Sequence, residues 1–68
     1  MSPVVFEVRE SPEGGFEASA IGHRIHTEAD TWDELKNQVR SAVRCHFADD
    51  VRPELIRLIW TREELLSA

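Results

Sequence analysis

Sixty-eight residues, 41% hydrophobic and 31% charged, make one small domain, residues 1–68, and exclude a second hydrophobic core. The formal net charge of −5 argues against nucleic acid as the main partner, because phosphate contacts need clustered Lys and Arg. A single cysteine excludes an internal disulfide, and no stretch is apolar enough for a signal peptide or a membrane span, so we expect a cytoplasmic protein without membrane contact.

The first two predicted elements are the strands of a β-hairpin. Apolar residues alternate with more polar ones over residues 3–11, which is the period of a half-buried strand. The same period returns over residues 16–21, where Phe16 and two alanines share one face. Between the strands, the sequence SPEGG at residues 11–15 has the proline and glycines of a tight connection.

A short third strand and a long amphipathic helix follow. We predict the strand at residues 23–27, with Ile25 facing inward, and the helix at residues 30–47. Thr31 and Glu34 have the spacing of a capping box, in which each side chain binds a free backbone N–H at the helix start. Six residues form one stripe at helical spacing: Trp32, Leu35, Val39, Ala42, Val43 and His46.

The remaining residues predict a fourth strand at 54–60 and a short helical turn at 61–68. The order is therefore β-β-β-α-β, an α+β fold in which one amphipathic helix packs on a small, mainly antiparallel sheet. Val5, Leu55 and Ile59 are apolar residues of the second sheet face. Because the core is thin, we expect this face to self-associate into a homodimer or a larger oligomer.

The adjacent Cys45 and His46 could form a nucleophile with its base, and with His23 and His26 they could bind zinc. Adjacent helical residues point about 100° apart, so Cys45 and His46 do not face each other. His23 and His26 project to opposite faces if they lie on one strand. We therefore expect His46 to pack over the sheet, Cys45 to be half-buried, and neither a metal site nor a cofactor.

Glu7 and Glu17 are the other candidates for chemistry, because they could lie opposite each other on the polar face of the hairpin. Paired carboxylates can bind Mg²⁺ or act as acid and base, as in hydrolases and nucleases. Such a site needs a cleft, and one helix on a small sheet offers little concavity. We interpret these residues as a solvated charged face and assign no catalytic residue.

The stretches at residues 4–20 and 25–47 together resemble the HicB-like antitoxin family in the order and spacing of their motifs. The shared features are an acidic Gly-Gly turn, an aromatic-led second strand and an Asp-Thr helix start. The matching residues are Gly14, Gly15, Phe16, Ala18, Asp30, Thr31, Glu34, Leu35, Ala42 and Phe47. The family's usual Pro-Gly-Cys is here residues 23–25, His-Arg-Ile, and Ala29 replaces its glycine.

The resemblance implies a domain that oligomerises and covers a small basic RNA-cleaving toxin. Full antitoxins of this family continue into a DNA-binding segment, which these 68 residues do not contain, so the chain is most similar to short, stand-alone members. We therefore expect a non-enzymatic interaction module that binds a small basic protein and not nucleic acid. The predicted partner-binding residues are Glu7, Glu13, Phe16 and Glu17. Two alternatives stay open, a structural homo-oligomer without a dedicated client and a small metal-dependent hydrolase or nuclease.

Overall fold

One helix packs against one face of a four-stranded sheet in the computed structural model, which describes residues 2–68. The elements are β1 (Val4–Glu10), β2 (Phe16–Ala20), β3 (His26–Ala29), α1 (Trp32–His46) and β4 (Ile56–Trp60). This order confirms the predicted β-β-β-α-β arrangement and the α+β class. No helix within residues 2–68 combines the length and the apolar character needed to cross a membrane.

The sheet has the strand order β3-β2-β1-β4. The pairs β1–β2 and β2–β3 are antiparallel. The pair β1–β4 is parallel, because α1 returns the chain to the end of the sheet at which β1 begins, and β4 starts there. Mainly antiparallel pairing is thus confirmed, and the sheet has β3 and β4 as its two edges. We call the sheet face that α1 covers the helix face, and the opposite one the open face.

The core lies between α1 and the helix face. Its buried residues are Val4, Phe6, Val8, Ala18, Ile25, Leu35, Val39 and Val43. These positions confirm the predicted alternation in the first two strands, the inward Ile25 and most of the helix stripe. At the helix start, the backbone N–H of Glu34 donates to Thr31 Oγ1 at 3.2 Å, as the capping-box spacing predicts.

Three aromatic rings close the core at the end of the sheet nearest the β1–β2 turn. Phe16 lies edge-on to Trp32 and to Trp60, with ring centroids 5.5 and 5.7 Å apart. The two tryptophan rings stack with their centroids 5.1 Å apart. These contacts join β2, α1 and β4 by large apolar surfaces. Trp60 nevertheless remains 45% exposed, so the cluster faces solvent on its β4 side.

Three sequence-based expectations need correction. The third strand is β3, His26–Ala29, and not residues 23–27, because the turn after β2 extends to the buried Ile25, whose carbonyl accepts from Ala20 N–H. Residues 61–68 form no helical turn, since a segment this short needs docking to stabilise a helix. His46 and Cys45 are both exposed, because they lie past the last buried position of α1, Val43.

Candidate functional site

Acidic side chains line a groove where the β1–β2 turn, β3 and the start of α1 meet. Its volume is about 420 Å³. Its four carboxylates, which define what we call the acidic groove, are those of Glu13, Glu28, Asp30 and Glu34. The side chain of Phe16 lines the same groove, and no Lys or Arg does. A negatively charged concavity beside an apolar ring is suited to a cationic ligand surface.

Local structure explains how each carboxylate reaches the acidic groove. Glu13 is exposed in the tight turn after β1, whose backbone is closed by a bond from Gly14 N–H to Ser11 carbonyl oxygen. Glu28 extends from the edge strand β3. Asp30 precedes the N-cap and Glu34 lies in the first turn of α1, where the helix dipole favours negative charge.

Within residues 2–68, no ion pair neutralises the negative charge of the acidic groove. Ion pairs in residues 2–68 involve the carboxylates of Glu17, Asp33 and Asp49, at distances up to 4.0 Å, and none involves the four groove carboxylates. The groove also borders β3, whose outer edge has no neighbouring strand in the sheet. Free backbone groups on an edge strand can pair with a strand of another chain.

A second group of chemically capable side chains lies on the open face of β2 and β3. One ligand atom each from Glu17, His26 and Glu28 lies within 4.8 Å of the others. Glu17 and Glu28 are direct cross-strand partners, so their like charges repel each other. Ser19 Oγ lies 2.8 Å from His26 Nδ1 and orients the ring, which leaves Nε2 for another ligand. Arg9 Nε, 4.0 Å from Glu17, offsets part of the negative charge.

Three of the four predicted partner-binding residues lie at these two places, and Glu7 lies at neither. Glu13 and Phe16 line the acidic groove. Glu17 is on the open face and does not line the groove, although its cross-strand neighbour Glu28 does. Glu7 lies farther away on β1, where it pairs with Ser19, so it does not face Glu17 directly as the sequence suggested.

Sequence reasoning missed three carboxylates of the acidic groove. Glu28 fell outside the predicted third strand, although its alternation with His26 could have placed both on one strand face. Asp30 and Glu34 were interpreted only as helix-start residues. Their meeting with Glu13 depends on how the hairpin turn lies against α1, which no local pattern encodes.

The Cys45–His46 pair makes no catalytic arrangement. Both side chains are exposed, and the His46 ring lies instead beside His23 and Phe47, with centroids 5.6 and 4.9 Å away. His26 is hydrogen-bonded to Ser19 on the sheet and lies apart from the rings of His23, His46 and Phe47. Within residues 2–68, the group of potential metal ligands on the open face includes none of Cys45, His46 and His23.

Comparison with known proteins identifies relatives of this chain in one family. The chain is 46% identical over 52 residues to a UPF0150 protein of Archaeoglobus fulgidus, a match that covers 76% of this chain and 77% of the relative. It is 33% identical over 64 residues to a UPF0150 protein of Thermotoga maritima, which covers 94% of this chain and 90% of that relative. The chain belongs to the UPF0150 family.

The two relatives of this UPF0150 chain come from an archaeon and a bacterium, and their names state no activity, ligand or partner. No family model matches the chain. No solved structure is significantly similar to it. The resemblance to HicB-like antitoxins therefore stays a prediction.

Proposed function

We propose that this UPF0150 protein is a non-enzymatic interaction module of the HicB-like antitoxin type, which binds a small basic protein in the cytoplasm. The observation that carries the proposal is the acidic groove, where four carboxylates border an edge strand and form no ion pair with any other residue in the described part of the chain, residues 2–68. A basic toxin-like protein supplies the opposite charge. The net charge of −5 favours the same class of partner.

Binding would combine two contributions with different roles. Lys or Arg side chains of the partner approach Glu13, Glu28 and the helix-start carboxylates, and this attraction mainly raises the association rate. Affinity comes from buried contacts. The half-buried Phe16 offers an apolar anchor at the groove, and the outer edge of β3 offers backbone hydrogen bonds to a partner strand.

Charge reversal in the acidic groove is the test of this proposal. We expect Glu13→Lys plus Glu28→Lys to slow association with the basic partner by about tenfold or more at low salt, because electrostatic steering is lost. The partner is first isolated by pull-down from the native cytosol with mass spectrometry, and the protein encoded by the adjacent reading frame is the first one tested. Association rates are then measured by surface plasmon resonance between 0.05 and 1 M salt, about the range over which screening becomes nearly complete.

The matched control is Asp50→Lys plus Glu54→Lys, which makes the same change in net charge at two exposed residues beyond the end of α1. This control should retain most of the association rate, because its positions are outside the acidic groove. Equal slowing by both variants, or a partner whose association rate does not depend on salt, would contradict binding at the groove.

A second candidate function, a small metal-dependent hydrolase or nuclease, is favoured by the Glu17, His26 and Glu28 group. Under this alternative, His26→Ala and Glu17→Ala abolish both binding of Mn²⁺ or Zn²⁺ and hydrolysis of a nuclease substrate. Glu7→Ala is the matched control, since Glu7 is exposed on the same face outside the group. Calorimetric titration with metal and a nuclease activity screen distinguish the interaction module from the hydrolase. The interaction module should show no metal-dependent turnover. Turnover that requires His26 would contradict the interaction module and support the hydrolase.

A third candidate, a structural homo-oligomer, is favoured by the apolar residues of the open face. There Ile21, Leu55 and Ile59 are 53, 63 and 45% exposed, and Val5 is half-buried beside them. Large exposed apolar residues on one sheet face are typical of association surfaces. If pull-down recovers only further copies of the chain, this candidate takes the place of the interaction module.

A further inference from the structure

A basic groove lies between α1 and β4, on the opposite side of the domain from the acidic groove. Its volume is about 430 Å³. Its floor is apolar and includes Val39, Val43 and Leu58. Its cations, which define what we call the basic groove, are Lys36, Arg40, Arg44 and Arg52. Glu54 is the single carboxylate among its lining residues.

Two of these cations lack a carboxylate partner. Lys36 Nζ lies 3.2 Å from Asp33, and Arg52 Nη2 lies 2.6 Å from Asp49. Within residues 2–68, no carboxylate forms an ion pair with Arg40 or Arg44, which are one helical turn apart. Arg52 Nε is in addition buried without a hydrogen-bond partner. The groove therefore combines free positive charge with an apolar floor.

Residues 61–68 have the complementary chemistry. They contain the consecutive pairs Glu63-Glu64 and Leu65-Leu66. The whole segment is exposed, and the leucines are 99% and 81% exposed. The chain, with this segment included, measures 52 Å along its long axis, more than twice its other two extents of 21 and 18 Å. Covering two adjacent exposed leucines with another apolar surface is favourable, because it removes apolar area from water.

We propose that residues 61–68 of one copy bind in the basic groove of a second copy, and that the exchange is reciprocal. Leu65 and Leu66 cover the apolar floor, while Glu63 and Glu64 pair with Arg40 and Arg44. Reciprocal exchange makes a closed twofold dimer with two identical contacts. This dimer uses a surface separate from the acidic groove, so it does not depend on the proposed partner.

The path of the chain favours a second copy over the segment's own groove. Thr61 N–H donates to Val8 carbonyl oxygen, so the segment leaves the sheet at the carboxyl end of β4 and passes beside Glu10. Apart from its α1 residues, the basic groove is lined by residues 52–56, at and before the other end of β4, and by Leu58 in the middle of that strand. Reaching it would require a sharp reversal within residues 61–64, Thr-Arg-Glu-Glu, which contain no Gly, Pro, Asn or Asp, the residues that favour turns most strongly.

The test is a pair of charge-reversed variants studied alone and mixed. The segment variant carries Glu63→Lys and Glu64→Lys, and the groove variant carries Arg40→Glu and Arg44→Glu. All four residues are exposed, so the fold should persist, which circular dichroism checks. Sedimentation equilibrium of each variant alone should give a dissociation constant at least about tenfold above that of the native chain, since like charges meet in both contacts.

Mixing the two variants should restore the dimer, because each segment then meets a groove of opposite charge. One chain carrying all four substitutions should dimerise like the native protein. Leu65→Ala plus Leu66→Ala should also raise the dissociation constant at least about tenfold. As the control, Ile59→Lys on the open face should leave the native dimer intact. A native chain that is monomeric at 100 μM, variants that do not recover on mixing, or a dimer broken only by Ile59→Lys would overturn the exchange.

Discussion

Leu35→Ala is expected to lower the free energy of unfolding by about 2–5 kcal/mol, since a buried leucine loses its transfer free energy and leaves a cavity. Leu35 is 0% exposed and joins α1 to the sheet at the centre of the core. A domain of 68 residues has a total stability of only about 3–10 kcal/mol. The variant should therefore be partly or fully unfolded at 37 °C, as measured by urea and thermal denaturation followed by circular dichroism.

Leu55→Ala is the matched control, because it removes the same atoms from a residue that is 63% exposed. Its cost should be below about 1 kcal/mol, in the range of ordinary surface substitutions. Comparable destabilisation by the two variants would show that the helix face is not the main core and would contradict the packing described above.

Gly15→Ala is expected to cost about 2 kcal/mol or more, for two separate reasons. Gly15 has φ of +79°, a conformation that L-residues with a side chain adopt at a cost. A Cβ on this residue would also lie 2.6 Å from Ala29 carbonyl oxygen and 3.2 Å from Asp30 Cα. Both are backbone atoms, which cannot rotate away as a flexible side chain could.

Gly22→Ala separates these two causes. Gly22 has nearly the same φ, +82°, and a Cβ there would meet nothing within 4 Å. Gly22→Ala should lower the free energy of unfolding by only the cost of the backbone conformation, about 1–2 kcal/mol. Gly15→Ala should therefore be the less stable variant in urea denaturation. Equal losses would mean that the hairpin turn does not approach β3 as closely as described.

Gly15 also links stability to the proposed function. Its close approach to Ala29 and Asp30 holds the turn that carries Glu13 against the strand and helix start that carry Glu28 and the remaining groove carboxylates. A side chain at residue 15 should separate these carboxylates. We therefore expect Gly15→Ala to weaken binding of the basic partner at temperatures where the domain is still folded.

The sequence by itself determined the order of elements and the inner face of most of them. Alternation over β1 and β2 identified their buried residues, because one face of a strand in a two-layer fold meets the core and the other meets water. The spacing of Leu35, Val39 and Val43 likewise identified the buried stripe of α1. These are local signals, since each depends only on the repeat of a single element.

Only the tertiary structure decided where charges from different elements meet. The acidic groove requires the register of β3 against β2 and the contact of the Gly15 turn with Ala29, and the sequence placed the third strand too early to foresee either. The same limit applies to residues 61–68, which were expected to be helical. A short segment obtains most of its stability from what it packs against, so its conformation follows from surfaces that are distant in sequence or belong to another chain.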